Sequence, residues 1–173
     1  MTIPKRGGSI LFLTGLVAGI AALAADQYPQ APYPDGYRQW TFLHGTVIGP
    51  KQGVFARQAC EAPCTSGVMY FYGNEKAMKG FQAGAFGDGS ILANETLELH
   101  GAGDGGAVEG PMLRVAVMVK DQELYAATGG WGYAEFLGGG KVDVTTKEQK
   151  IACFECHGKV QDKDYVYTVY EDR

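Results

Sequence analysis

Cys153-Phe154-Glu155-Cys156-His157 sets two thiols and an imidazole in a C-x-x-C-H array. That array is the attachment pattern of c-type haem. On one helical turn, residues i, i+3 and i+4 share a face, so both sulfurs and the ring meet one flat macrocycle. Cys153 and Cys156 are then the thioether positions, and His157 the proximal iron ligand, of one covalently attached haem c. Two other chemistries compete. A thioredoxin-like C-x-x-C needs a βαβ setting, whereas this one lies near the C-terminus between a helix and a last strand. A zinc site drawn from Cys60, Cys64, Cys153 and Cys156 uses the wider C-x3-C gap and leaves His157 idle.

The other side of the iron decides what such a haem does. Outside the motif the histidines are His44 and His100, and the thioethers past Met1 are Met69, Met78, Met112 and Met118. His100, beside Gly101, reads as a solvated edge residue. Met112 and Met118 fall on the mixed face of one strand and Met78 on a helix face, where packing is the ordinary role. No methionine follows His157. This inventory predicts an open or water-bound distal position. Cys60 and Cys64 read as a disulfide. Along a strand they would lie about 13 Å apart, too far to bridge, so Glu61-Ala62-Pro63 must turn or coil.

These residues need a scaffold. Trp40 to Ile48, Ile91 to Leu99, Leu113 to Val119, Trp131 to Leu137 and Tyr165 to Tyr170 read as strands. In the second, Ile91, Ala93, Leu97 and Leu99 share one face, with Asn94, Thr96 and Glu98 on the other. Leu113, Val115, Val117 and Val119 form the apolar side of the third. Asn74 caps a short helix that places Ala77, Met78 and Phe81 on one side and stops at Gly84. Thr145-x-x-Glu148 reads as a capping box for the haem-motif helix. Gly101 to Gly110 and Gly138 to Gly140 read as loops. The expected fold is α+β and mainly β: an antiparallel sheet with a few short helices and a C-terminal haem-attachment helix. The 26 glycines and 10 tyrosines in 173 residues agree with a turn-rich sheet.

The chain opens on a separable unit. Lys5 and Arg6 precede an uncharged run ending in Ala22-Leu23-Ala24, the pattern of a cleaved leader over residues 1–24. The competing reading retains residues 10–25 as an anchor, although 16 residues fall short of the roughly 20 that span a bilayer. Both export the remainder to a periplasm or its equivalent, where thioethers and disulfides form. Residues 25–37, with Pro29, Pro32 and Pro34, read as an extended tether ahead of a haem domain over 38–173. Without the leader, 13 basic face 19 acidic residues, net −6. That balance argues against nucleic acid as a partner.

Several further stretches complete a pattern: Tyr37-Arg38-Gln39-Trp40, Phe86-Gly87-Asp88-Gly89-Ser90, Val119-Lys120-Asp121, Gly130-Trp131-Gly132-Tyr133 and Asp164-Tyr165-Val166-Tyr167-Thr168. With the haem motif, their order and spacing from Tyr37 to Tyr170 resemble the cytochrome P-460 and cytochrome c-prime-beta family of periplasmic β-sheet haem proteins. The resemblance implies a homodimer with the proximal histidine in the C-terminal motif. In the hydroxylamine-oxidising branch it implies a lysine cross-linked to the haem and a proton-moving distal acid. Counted from Asp88-Gly89 and back from Val119-Lys120-Asp121, those positions hold Asn94 and Ala116. An amide is a poor nucleophile and a methyl group carries no proton. The departures favour the branch without the cross-link, whose members look like nitric oxide binders with phenylalanines over the distal face. Phe86 matches one such position and Phe55 another, and Asn94 is placed to hydrogen-bond a distal ligand. The expectation is therefore a haem protein binding nitric oxide or a related small nitrogen oxide. Its alternatives are a hydroxylamine- or nitric oxide-oxidising haem enzyme, and an electron-transfer subunit serving a periplasmic partner.

Overall fold

The computed structural model describes residues 28–49, 67–101 and 105–170. The leader, Phe55, Cys60 and Cys64 lie outside the described residues.

Runs rich in β-branched and aromatic residues build five strands: β1 (Thr41–Ile48), β2 (Gly67–Gly73), β3 (Ile91–Gly101), β4 (Ala107–Lys120) and β5 (Trp131–Leu137). They form one antiparallel sheet ordered as in the chain. Helix α1 (Glu75–Ala83) follows β2, and helix α2 (Lys147–His157) follows β5. Short 3-10 turns occupy Tyr37–Gln39, Ala126–Thr128 and Gly158–Lys163. The fold is α+β and mainly β, as the sequence predicts.

Both faces of the sheet are covered. On one, Ala93, Val115, Val117, Val119, Ala134 and Phe136 pack with Ala31, Tyr37 and Tyr125. The segment expected as a tether is thus docked from Ala31 onward, with Tyr33 and Trp40 against the same cluster. On the other face, Leu43, Leu92, Met118, Trp131 and Tyr133 pack with Ala77 of α1, Phe86 and Val166. Asn74 holds α1 to this face by three bonds. Its Oδ1 accepts from Ala77 N at 2.9 Å and Ile91 N at 3.1 Å, and its Nδ2 donates to Gly89 O at 2.9 Å. Gly84, at φ 75°, ends the helix in the left-handed region. Gly80 is required by a close approach: a Cβ there would overlap the Phe86 ring.

Several local expectations are corrected. Tyr165–Tyr170 forms no strand, because Asp164 (φ 50°) and Tyr165 (φ 65°) are both left-handed and turn the chain out of sheet geometry. Each such non-glycine residue costs about 1–2 kcal/mol. The loop expected over Gly101–Gly110 is shorter, since the β3–β4 ladder runs to Gly101↔Ala107. Met112 and Met118 lie on opposite faces. Thr96 pairs with Arg114 but Leu97 with Met112, so a bulge at Leu113 reverses the alternation. Met112 consequently packs on the Tyr37 side, where its sulfur accepts the Tyr37 hydroxyl at 3.7 Å.

Candidate haem-binding site

Helix α2 begins at a capping box one residue beyond its expected place. Thr146 Oγ1 accepts from Gln149 N at 3.3 Å, and Gln149 Oε1 accepts from Thr146 N at 2.7 Å. Thr145 instead accepts from Glu135 N through its Oγ1 at 2.6 Å, which fixes the start of α2 to β5. Lys150 fixes the helix again from within. Its buried Nζ sits 3.0 Å from Asp143 Oδ2 and donates to Pro29 O at 3.0 Å. The N-terminal segment and the β5–α2 connection therefore grip the same turn. One turn on, Cys153 and Phe154 pack against the Met118–Tyr133 cluster, while Cys156 is exposed.

His157 ends the helix in a defined tautomer. Its Nδ1 lies 2.7 Å from Tyr165 O. A carbonyl only accepts, so Nδ1 carries the hydrogen and Nε2 keeps its lone pair. Burial pushes the imidazole pKa down, partly offset by the Tyr165 carbonyl. Tyr133 and Tyr167 flank it at ring-centroid distances of 5.3 Å each. A neutral imidazole with an outward lone pair is a ready metal ligand.

Tyr165 owes its position to a charged hub. Lys120 Nζ, with its side chain 2% exposed, lies 2.6 Å from Asp164 Oδ1 and donates to Gly129 O at 3.2 Å. The same ammonium stands 4.9 Å from the Trp131 ring centroid. Trp131 Nε1 donates to Asp164 O at 2.9 Å, and Phe86 N to Asp164 Oδ2 at 2.9 Å. Gly129, at φ 66°, leaves room for the Tyr165 ring that a Cβ would obstruct. One carboxylate thus joins four of the stretches singled out in the sequence.

Beside this buried region the same sheet face carries a half-buried polar row. It runs His44, Phe71, Asn94, Ala116, Glu135 across the five strands. His44 stacks on Phe71 at 4.3 Å. Asn94 and Ala116 are direct cross-strand partners. Asn94 Oδ1 accepts from the Thr96 hydroxyl at 3.2 Å, yet its buried Nδ2 has no partner. The Tyr133 hydroxyl is likewise buried without one, and burial raises its pKa. Glu135 pairs with Arg114 along the same face.

The motif residues lie on the last turn of α2, with Cys153 and His157 toward Tyr133 and Cys156 exposed. Phe86 joins them in that cluster, 7% exposed and packed on Phe81 and Trp131 at 5.0 and 5.5 Å. Asn94 lies on the same face, and Glu95 on the other, where Arg38 pairs with it. His100 is half exposed and paired with Glu98. Sequence alone assigns no role to the side chains of Lys120, Asp164, Tyr133 and Glu135. A lone lysine closing the apolar run Val115–Val119 is the one signal for the first.

The donor set suits haem. Among the described residues no three His, Cys, Asp or Glu side chains gather as a metal cage. What the site offers is one imidazole, two thiols, an apolar aromatic wall and two buried polar hydrogens lacking acceptors. A group bringing four nitrogens, two vinyl carbons and polar edges answers all of these. A family model described as cytochrome P460 matches residues 34–168. No curated protein matches the chain.

Proposed function

Because the chain belongs to the cytochrome P460 family, we propose that it is an exported haem c protein binding nitric oxide or a related small nitrogen oxide. Haem is the family's cofactor, and when bound it would supply an iron able to take up a small ligand. Cys153 and Cys156 would hold it as thioethers, and His157 Nε2 would ligate the metal. The Tyr165 carbonyl keeps His157 in the correct tautomer, and the Tyr133 and Tyr167 rings flank it. Phe86 and Phe55 would cover the distal side in this reading. The proposal includes removal of residues 1–24 and a homodimer in the periplasm.

One observation carries the choice of binding over oxidation. Asn94 and Ala116, aligned with the cross-linking lysine and the proton-moving acid of the oxidising branch, are neighbours on this face. An amide beside a methyl group forms no such cross-link and moves no proton. A neutral ligand such as nitric oxide needs neither.

Glu135 favours a second reading. Its carboxylate lies next to Ala116 across the β4–β5 ladder, so an oxidation could draw on it for proton transfer. Arg114 pairs with that carboxylate along the same face, which ties it up away from a ligand.

The test is the optical spectrum of the haem-loaded ferrous protein before and after nitric oxide. A Soret band that moves on addition supports the proposal. A ferrous Soret band far to the red without ligand marks a cross-linked haem and overturns it. A low-spin band that ignores nitric oxide assigns electron transfer instead.

A further inference from the structure

The Lys120–Asp164 pair has no place in ligand binding, yet its geometry leads to the proximal histidine. The two residues are 44 apart in sequence, and the ammonium is buried between the end of β4 and the Trp131 ring. Asp164 has no slack. Oδ1 faces Lys120, Oδ2 accepts from Phe86 N, and its carbonyl accepts from Trp131 Nε1. Held there, Asp164 stands at φ 50° and ψ 43°, and Tyr165 follows at φ 65°. An aromatic residue does not choose that conformation unaided. Surrounding structure must impose it. These successive torsions determine where the Tyr165 carbonyl points, and it points at His157 Nδ1 from 2.7 Å.

We propose that Lys120 and Asp164 are positioning residues for His157: their ion pair locks the left-handed Asp164–Tyr165 step that aims the Tyr165 carbonyl at the ligand's Nδ1–H. A strong acceptor at Nδ1 makes the imidazole a better donor to iron. The pair therefore tunes the metal through the backbone, from the strand-end cation to the ring. The inference rests on His157 being the iron ligand.

Two properties of the haem-loaded protein read this role: the reduction potential and the iron–histidine stretching band of the ferrous form. Asp164→Asn keeps the shape and the tolerance for left-handed backbone but removes the charge. Lys120→Met keeps the length of the stem. If the pair acts by aiming the carbonyl, both variants weaken the Nδ1 bond. Both then raise the potential and move the band to lower frequency. A purely through-space charge effect gives opposite shifts: losing the cation lowers the potential and losing the carboxylate raises it, with the band unmoved. Opposite shifts, or an unmoved band in both variants, overturn the proposal. Lys120→Met leaves the Asp164 charge uncompensated. Should it fail to accumulate folded, the double variant Lys120→Met/Asp164→Asn removes both charges, and an unmoved band there is equally fatal. An unmodified protein lacking the iron–histidine band refutes the His157 assignment itself. A normal parent band that no variant moves refutes the positioning role alone.

Discussion

Asn94 and Ala116 stand opposite each other across the β3–β4 ladder, on the face that also carries Leu92, Met118 and Tyr133. The amide nitrogen of Asn94 is buried and has no acceptor within the described residues. A polar hydrogen so placed favours a ligand that accepts a hydrogen bond. Bound oxygen, which becomes polar, gains more from it than nitric oxide does.

Asn94→Leu should therefore reduce oxygen affinity by roughly fivefold, the worth of one hydrogen bond of about 1 kcal/mol. Nitric oxide affinity should change less. The substitution also takes the acceptor from the buried Thr96 hydroxyl, so urea stability should fall by about 1–3 kcal/mol. Titration of the ferrous protein with each gas checks the ordering, and equal losses for both would contradict it.

Cys153→Ala should leave haem attached through Cys156 alone. Mass analysis of the denatured protein should show at most one thioether, and retention of two would remove the motif from its assigned role. The accompanying double variant with Cys156→Ala should lose all covalently held haem under denaturing conditions.

Gly80→Ala sets two effects of opposite sign against each other. Within a helix the change gains about 0.5–1 kcal/mol in propensity. Here the new Cβ would overlap the Phe86 ring, itself wedged against Phe81 and Trp131. Overpacking of that kind costs about 1–3 kcal/mol. The clash should win, and urea unfolding should show net destabilisation. Phe86→Ala in the same assay should lose about 3–5 kcal/mol.

Stability should fall as pH rises above the ordinary tyrosine value of 10.0. Burial, reinforced by Glu95, pushes Tyr37 well above that value, and the Glu109 carboxylate pushes Tyr70 up to about 12. Unfolded chains release these protons first, so the folded state loses ground from about pH 10 upward. Tyr37→Phe should flatten the alkaline limb of a pH series of urea midpoints. An unchanged limb would mean the folded protein ionises there freely.

Local physics made much of this readable in advance. Asn74 and Gly84 are capping residues wherever they occur at helix ends, and both act so here. The alternation of Val115, Val117 and Val119 needs only the two-residue pleat to become a buried face. The C-x-x-C-H spacing needs only a helix, and α2 supplies it. What escaped depends on partners distant in sequence or on single backbone angles. Tyr165–Tyr170 has strand composition, but Asp164 and Tyr165 turn left-handed under the hold of Lys120 and Trp131. Met112 changed faces because one unpaired residue, Leu113, resets the pleat. Glu135 entered the polar row only once the β4–β5 register set it beside Ala116. No periodicity announces any of these.

The clamp on α2 also joins the two ends of the described chain. Every strand pairs with its chain neighbour, so the sheet contacts join segments adjacent in chain order. Lys150 reaches back 121 residues to Pro29. The helix bearing Cys153, Cys156 and His157 is thus held by the hydrogen bonds of greatest sequence separation among the described residues, and its grip depends on the far end of the chain.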